Sequence, residues 1–138
     1  MAETKYGKYF LRQTKPSAKK GAVTPVAFEG SKNWAGIQHR MVWSYISAPA
    51  VIDKEPHTHD FDEFFSFVGG DPTKPLEFGA VAELKLGIEG EKQVIDASTI
   101  VCIPKGLVHG PLSFTKVDKP VIFCDIYTAP EYIKKPVK

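Results

Sequence analysis

Four residues in the middle of the chain carry side chains suited to a divalent transition metal: His57, His59, Glu63 and His109. They include three of the chain's four histidines, and they offer three imidazoles and one carboxylate. On an extended strand, side chains at positions i and i+2 point to the same face, so His57 and His59 can aim at one point. Imidazole is a ligand for Fe, Ni, Cu and Zn, and a carboxylate also admits Mn and Fe(II). Residue types and spacing therefore predict one divalent transition metal per chain.

The number and type of these ligands indicate an open metal site. Four protein ligands would leave two positions of an octahedron free, which a metal needs to bind a chelating substrate, or a substrate together with O2. A structural zinc site would be closed and would usually include cysteine, whereas the two cysteines of this chain form no Cys-x-x-Cys pair. The alternative interpretation is that these are surface or loop histidines beside acidic residues.

The size and composition of the chain are those of an ordinary globular domain. A length of 138 residues is most simply one domain, and 25% charged with 43% hydrophobic residues is a typical composition. The net charge of +2 is too small to indicate nucleic acid or an anionic membrane as a partner. The first residues lack a signal-peptide pattern, and no stretch approaches the ~20 apolar residues that span a bilayer. We therefore expect a cytoplasmic protein with no nucleic-acid partner and no membrane partner.

Short apolar runs divided by turn residues predict an all-β sandwich or barrel. Eleven glycines and eleven prolines punctuate runs rich in Val, Ile, Phe, Tyr and Trp, and no long stretch has a helical period. The predicted strands are residues 9–12, 24–28, 39–46, 64–69, 79–86, 92–96, 99–103 and 121–128. A loop or linker is expected at residues 16–20, and a basic tail at residues 132–138.

Two motifs built around these ligands resemble those of the cupin superfamily. The first motif of that family is His-x-His, three residues, Glu, six residues and Gly, and the second contains Pro-x-Gly-x-x-His. The first is matched by His57, His59, Glu63 and Gly70, and the second by Pro104, Gly106 and His109. The resemblance covers residues 51–113. It implies an all-β double-stranded β-helix, a jelly-roll barrel, with the metal inside the barrel near its mouth.

The two motifs depart from the family pattern at three positions. The leading glycine of the first motif is replaced by Val51 and that of the second by Ser98, and Ser113 stands where asparagine often follows the last histidine. These positions shape turns and strand packing. We expect a single domain over residues 1–138, with the motif-bearing core at 37–128, an N-terminal arm at 1–22 and a C-terminal tail at 129–138.

Aromatic and histidine side chains near the ligands are candidates for the wall of a substrate pocket. If a strand leaves the ligand carboxylate, Phe65 and Phe67 share its face and line the barrel interior, and the alternative is that they are simply core. Upstream, His39, Trp43 and Tyr45 alternate with other residues, so either their set or the intervening set faces inward. Aromatic residues with a polar end often line small-ligand sites. A place at the surface or rim is the alternative for His39.

The resemblance implies a metal-dependent enzyme that acts on a small organic substrate. Small single-domain cupins include dioxygenases, isomerases, lyases and decarboxylases, and the ligand set with Fe or Mn favours dioxygenase-type chemistry; Zn, Ni and Cu are further options. The alternatives are a metal-dependent isomerase, lyase or decarboxylase, and a non-catalytic sensor or small-ligand-binding module. The resemblance also implies a homodimer in which an N-terminal strand, at residues 6–12, pairs across subunits.

Overall fold

The computed structural model describes residues 4–12, 21–29, 34, 37–130 and 133–137, which form an almost purely β structure. Helical structure in this part of the chain is confined to a short 3-10 helix, η1 (Gly7–Tyr9), and no helix there is long and apolar enough to cross a membrane. The strands are β1 (Val23–Glu29), β2 (Arg40–Ile46), β3 (Ala50–Asp53), β4 (His57–Thr58), β5 (Glu63–Gly69), β6 (Ala80–Leu86), β7 (Glu91–Ile95), β8 (Thr99–Ile103), β9 (His109–Val117), β10 (Val121–Tyr127) and β11 (Lys135–Pro136). The predicted all-β class is confirmed.

Two antiparallel sheets make up the barrel. Sheet A has the strand order β1-β2-β10-β5-β8, and sheet B has the order β11-β4-β9-β6-β7, with β3 paired to β9. Most neighbours in each sheet are distant in sequence, because the chain crosses repeatedly from one sheet to the other, as in a jelly roll. The predicted jelly-roll barrel is therefore confirmed. Its topology sets β4 beside β9 and places β5 in the facing sheet, so the strands that carry the two motifs meet.

Phenylalanine rings fill the space between the two sheets. Phe65 and Phe67 on β5 and Phe123 on β10 project from sheet A, and Phe114 on β9 meets them from sheet B. The ring centroids of Phe67 and Phe114 are 6.0 Å apart, and those of Phe67 and Phe123 are 5.1 Å apart. Buried aromatic pairs at such distances add their own attraction to the free energy of burial. The packed rings hold the sheets together and leave the polar ligands at one end of the barrel.

Seven of the predicted strands are present, with ends shifted by at most one residue. The strand predicted at residues 9–12 is wrong. The N–H groups of Tyr9 and Phe10 donate instead to the carbonyls of Tyr6 and Gly7, which winds this part of the chain into η1 and a turn. The loop predicted at residues 16–20 lies outside the described residues.

Four strands were missed by the sequence prediction: β3, β4, β9 and β11. The long strand β9 begins with His109, Gly110 and Pro111, and a Gly-Pro pair normally marks a turn. The register between β6 and β9 shifts opposite this point, so an irregularity in the ladder accommodates the proline. Gly110 has a φ of +100°, and a Cβ there would lie 2.8 Å from Glu55 O. Only glycine can combine this positive φ with so close an approach of the Glu55 carbonyl, so the start of β9 depends on Gly110.

Candidate metal centre

The four predicted ligands lie on strands that meet at one end of the barrel. His57 lies on β4 and His59 just beyond it, Glu63 begins β5 in the facing sheet, and His109 begins β9. His57 and His109 are direct partners in the antiparallel pairing of β4 with β9. All four side chains are buried, with at most 2% of each residue exposed. The structure thus brings together all four residues that the sequence singled out.

The ligand atoms of these residues converge on one point. One ring nitrogen from each of His57, His59 and His109 lies within 4.8 Å of the other two. Glu63 Oε1 lies 3.0 Å from His109 Nε2 and 3.4 Å from His59 Nε2. Three imidazoles and a carboxylate therefore surround a single buried position.

The second nitrogen of each imidazole fixes the protonation of the ring. Each Nδ1 is hydrogen-bonded to a backbone carbonyl, which can only accept, so Nδ1 must carry the proton. The three bonds run from His57 to Glu55 O (3.0 Å), from His59 to Ile133 O (2.7 Å) and from His109 to Leu107 O (2.9 Å). In the neutral ring the lone pair is then on Nε2, the atom that turns toward the other ligands. Metal-binding histidines are usually oriented in this way.

Two of the converging atoms are buried and unsatisfied by the part of the chain that the structure describes. Neither Glu63 Oε1 nor His109 Nε2 makes a hydrogen bond of good geometry within it. Leaving a buried polar atom unpaired costs about 1–3 kcal/mol. With Nδ1 protonated, His109 Nε2 presents a lone pair to a carboxylate oxygen 3.0 Å away, and a proton or a cation between the two makes that contact favourable. The donor set and its burial fit a divalent transition metal.

The neighbours of Glu63 keep its side chain ionised in the metal-free protein. Burial alone would raise the pKa of Glu63, but the adjacent side chains of His109, His59 and Asp125 outweigh burial and lower the pKa to about 2. For His109, burial opposes the charged form, yet the adjacent Glu63 carboxylate raises the pKa above its usual value. Burial lowers the pKa of His57. A carboxylate and a neutral imidazole are thus present at neutral pH, as a cation requires.

A second carboxyl group lies behind Glu63, and the sequence reasoning missed it. Asp125 faces inward on β10, opposite Phe65 on β5, and accepts a hydrogen bond from the Tyr127 hydroxyl. Burial, followed by the charge of Glu63, raises the pKa of Asp125 well above its usual range. The Arg40 guanidinium carbon lies 5.0 Å from the centroid of the Tyr127 ring. The sequence did offer one sign of it, because Asp125 is the one charged residue in the otherwise apolar run of β10.

Three groups border the ligands at the mouth of the barrel, the end where β5 and β9 begin. The Phe61 ring stacks on the His59 ring, with centroids 4.6 Å apart and an interplanar angle of 15°. Asp53 Oδ2 lies 3.9 Å from His57 Nε2, and Asp53 Oδ1 lies 3.7 Å from Lys134 Nζ. The metal centre therefore has an aromatic ring, a carboxylate and an ammonium group at its outer side.

A cavity of about 340 Å³ opens beside the mouth. Its walls include Phe61 and Asp60 from the loop after β4, Thr128 after β10, and Ile133 and Lys135 from the C-terminal segment. Since Phe61 stacks directly on His59, the cavity adjoins the ligand cluster. A volume of this size is at the lower end of the range for small-ligand sites.

Two of the predicted pocket residues lie inside the barrel. Phe65 and Phe67 point inward and are buried, with 2% and 0% exposed. The ring centroid of Phe65 lies 6.1 Å from that of His109, and Phe67 lies deeper in the phenylalanine core. Phe65 is therefore the closer of the two to the ligands.

Trp43 and Tyr45 lie away from the ligand cluster, and their role in a substrate pocket stays a prediction. Both project from the outer face of sheet A, with 37% and 51% exposed. Ser44 and Ile46 take the inward positions of β2 and are buried. His39 precedes β2 and is partly buried, and its role in a pocket stays a prediction.

Two hydrogen bonds join the loops that carry the two motifs. His59 O accepts the Gly106 N–H at 3.0 Å, and Asp62 Oδ1 accepts the Lys105 N–H at 2.8 Å. Gly106 has a φ of +84°, a backbone region that favours glycine. The Pro-x-Gly turn is thus bound to the backbone beside His59, and it fixes where the chain enters β9 at His109.

Fold and site together define a jelly-roll barrel with a three-histidine cluster at its mouth. No family model matches the chain, and no curated protein matches it. The evidence for the class is therefore the jelly-roll topology, the converging ligands and the likeness to solved structures.

The matching solved structures include oxalate decarboxylases. The Lactobacillus farciminis enzyme in complex with formate has 16% identity and a TM-score of 0.60, covering 90% of this chain and 33% of that one. A Bacillus subtilis oxalate decarboxylase has 14% identity and a TM-score of 0.58, covering 88% of this chain and 29% of that one. A structure of the Bacillus subtilis enzyme studied for its Mn(II) centres has 12% identity and a TM-score of 0.59, covering 89% and 30%. The chain spans about a third of the length of these enzymes, and the likeness shows the fold.

Proposed function

We propose that this protein is a metal-dependent enzyme that holds one divalent transition metal through His57, His59, Glu63 and His109. One observation carries the proposal: three Nδ1–H groups are engaged by carbonyls, which turns three Nε2 atoms and Glu63 Oε1 toward one buried point. Fe or Mn is the metal we favour, because the set includes a carboxylate. The Mn(II) centres described for the Bacillus subtilis enzyme are consistent with that choice.

The reaction we favour is lyase-type cleavage of a small carboxylic acid, such as a decarboxylation. The structures described above are decarboxylases, and one of them holds formate, a one-carbon carboxylate. This reaction was the alternative in the sequence reasoning, and it now stands ahead of dioxygenase-type chemistry. When bound, the metal supplies Lewis-acid polarisation of a chelated carboxylate or carbonyl oxygen. One fold can host many reactions, so the choice of reaction must be argued from the residues of the site.

The residues around the ligands have separate roles in this proposal. Phe65 closes the barrel behind the ligands and excludes water from that side, and Phe61 shields the His59 ring. Decarboxylation replaces the carbon–CO2 bond with a C–H bond, whose proton must come from solvent. Asp53, 3.9 Å from His57 Nε2 at the mouth, is placed to take up a solvent proton and pass it to the reacting carbon. The nearby ammonium group of Lys134 offsets the charge of Asp53, which reduces its repulsion of an anionic substrate.

Gas exchange distinguishes the reaction classes. Protein loaded with Mn(II) or Fe(II) is mixed with a panel of small dicarboxylic and keto acids, and CO2 release and O2 uptake are followed together. We expect CO2 release from at least one acid without matching O2 consumption. His109→Ala should abolish it, and Leu76→Ala, at an exposed position on the connection between β5 and β6, should retain it.

Dioxygenase-type chemistry is the second candidate, because four protein ligands leave room for a substrate and O2 on the same metal. O2 uptake in proportion to substrate loss, with diketones or catechols added to the panel, would favour it over the lyase. Metal-independent binding of an acid without any gas exchange would instead indicate a non-catalytic binding module.

We also propose that the outer face of sheet A is the contact surface of a homodimer. The paired residues of that face are all uncharged: Thr24, Val26, Phe28, Met41, Trp43, Tyr45, Phe64, Ser66, Val68, Ile100, Cys102, Ile122, Cys124 and Ile126. Trp43, Tyr45, Val68 and Ile100 are each more than a third exposed, and broad exposed apolar faces mark interaction surfaces. The sheet is five strands wide, at ~4.8 Å per strand, and about six residues long, at ~3.3 Å per residue, so its projected area is roughly 500 Å². Each partner in a standard interface buries ~800 Å² of accessible surface, which is of the same order.

Sedimentation velocity tests the homodimer. The wild-type chain should sediment as a dimer, and Ile100→Glu should produce monomers because it buries a charge in the proposed interface. Leu76→Glu, at an exposed position on the connection between β5 and β6, should leave the dimer intact. A wild-type monomer at high concentration would refute the assignment of this face.

A further inference from the structure

We propose that the C-terminal segment, residues 133–137, is a positioning element of the metal centre that holds His59 in its ligand conformation. The inference rests on the proposed metal site and adds to it a part of the chain that lies outside both motifs. It concerns the protein's own contacts, so it can be tested without knowing the substrate.

The contact that carries the inference is the hydrogen bond from His59 Nδ1 to Ile133 O, at 2.7 Å. His57 and His109 each bond to a carbonyl two residues earlier, so the local backbone orients them. His59 instead donates its Nδ1–H to the carbonyl of Ile133, which lies 74 residues further along the chain. The tautomer and orientation of this one ligand therefore depend on where the C-terminal segment lies.

Three further contacts hold the segment in place. Lys135 Nζ lies 2.5 Å from Asp60 Oδ2, and Lys134 Nζ lies 3.7 Å from Asp53 Oδ1. β11 also pairs with β4, with Lys135 opposite Thr58 and Pro136 opposite His57. Two lysines thus meet two aspartates that flank the ligand strand, and the backbone ladder continues directly beside His57. These contacts fix the position of the segment beside the metal ligands.

The consequence for metal binding follows from the burial of His59. Its ring is buried, so losing the Ile133 carbonyl removes the acceptor that holds the proton on Nδ1 and allows the proton to move to Nε2. A proton on Nε2 blocks the lone pair that binds metal. Removing an outer partner of a metal-bound histidine typically weakens metal affinity about 10- to 100-fold. We expect a loss in this range when the segment is absent.

The experiment measures Co(II) affinity by chelator competition for four proteins. These are wild type, a chain ending after Pro130, the double variant Lys134→Glu/Lys135→Glu, and Lys116→Glu as a control. The control reverses a lysine paired with Asp118 at the far end of β9, in an equally exposed ion pair. The truncated protein should bind Co(II) about 10- to 100-fold more weakly. The doubly charge-reversed protein, whose lysines are exposed, should bind about two- to fivefold more weakly, and the control should match wild type.

A charge exchange and a spectroscopic readout separate positioning from general loss of structure. Asp60→Lys combined with Lys135→Glu should bind Co(II) more tightly than Lys135→Glu alone, because the exchanged pair restores the anchor. In metal-free protein, the His59 Nδ1–H resonance should be protected from exchange in wild type and lost in the truncated chain.

The outcomes are distinct. In either the truncated or the doubly charge-reversed protein, loss of the protected His59 resonance with wild-type Co(II) affinity would overturn the role of the segment and leave the metal site standing. Loss of the resonance together with weaker Co(II) binding would support it. Absence of Co(II) binding by wild type itself would overturn the proposed metal function, while the resonance would still report whether Ile133 O holds His59.

Discussion

His57 and His109 face each other as register partners across β4 and β9, and their ring centroids are 4.3 Å apart. Each donates its Nδ1–H to a carbonyl two residues earlier, that of Glu55 for His57 and that of Leu107 for His109. The two motifs therefore build the same local arrangement twice, on neighbouring strands. Strand pairing sets the distance between the two imidazoles, and Glu63 closes the cluster from the facing sheet.

Metal affinity should fall as the pH falls through the titration of His109. The adjacent Glu63 carboxylate raises the pKa of His109 above its usual value of 6.5 despite burial, and below this raised pKa the metal-free protein holds a proton that a metal must displace. Above the raised pKa this proton is already lost and affinity should be flat. Below it, affinity should drop about tenfold per pH unit, which Co(II) titrations from roughly pH 5.5 to 8.5 would measure.

Glu63→Gln is the matched control for this pH dependence. The amide keeps the shape of the side chain but removes the charge that raises the pKa of His109. The midpoint of the affinity profile should therefore move to lower pH, while affinity on the plateau falls because one charged ligand is lost. An unshifted midpoint would show that Glu63 is not what holds the proton on His109.

Phe67→Ala should strongly destabilise the barrel. Phe67 is 0% exposed and lies among the rings of both sheets, so truncation leaves a cavity and should cost about 3–5 kcal/mol of unfolding free energy. Urea unfolding measures the change. Leu76→Ala, at a residue that is 84% exposed, should stay within about 0.5 kcal/mol of wild type. Equal losses in the two variants would contradict the packing described for the barrel.

Tyr127→Phe should destabilise the metal-free protein by about 1–3 kcal/mol. The Tyr127 hydroxyl donates to Asp125 Oδ2 behind Glu63, and its removal leaves a buried carboxyl oxygen without that donor. Unfolding is compared in the presence of a chelator, so that metal binding makes no contribution. Tyr45→Phe removes a hydroxyl from an exposed side chain and should have little effect. A Tyr127→Phe protein as stable as Tyr45→Phe would remove the support for the Asp125 contact.

The ligand set and the barrel could be predicted because both depend on short-range patterns. The alternation of an extended strand puts His57 and His59 on one face, and the Pro-x-Gly turn sets the entry to His109. The His59–Ile133 contact could not be predicted this way, since the acceptor is a backbone atom far along the chain and leaves no trace in residue types.

The orientation of β2 shows a second limit of the sequence. Alternation indicates that Trp43 and Tyr45 share one face, but it does not indicate which face is inside. Burial of apolar residues usually decides, and here both faces of sheet A carry apolar side chains. Trp43 therefore looks like an interior residue in sequence, although Ser44 is the one that points inward.

Metal content of protein purified without an affinity tag tests the central claim most directly. We expect about one transition metal ion per wild-type chain, measured by elemental analysis, and its loss in His109→Ala. His39→Ala should keep the metal, because this fourth histidine lies outside the converging cluster. Wild-type protein that stays free of metal after incubation with Mn(II), Fe(II), Co(II) and Zn(II), or a His109→Ala protein that binds as wild type does, would contradict the account.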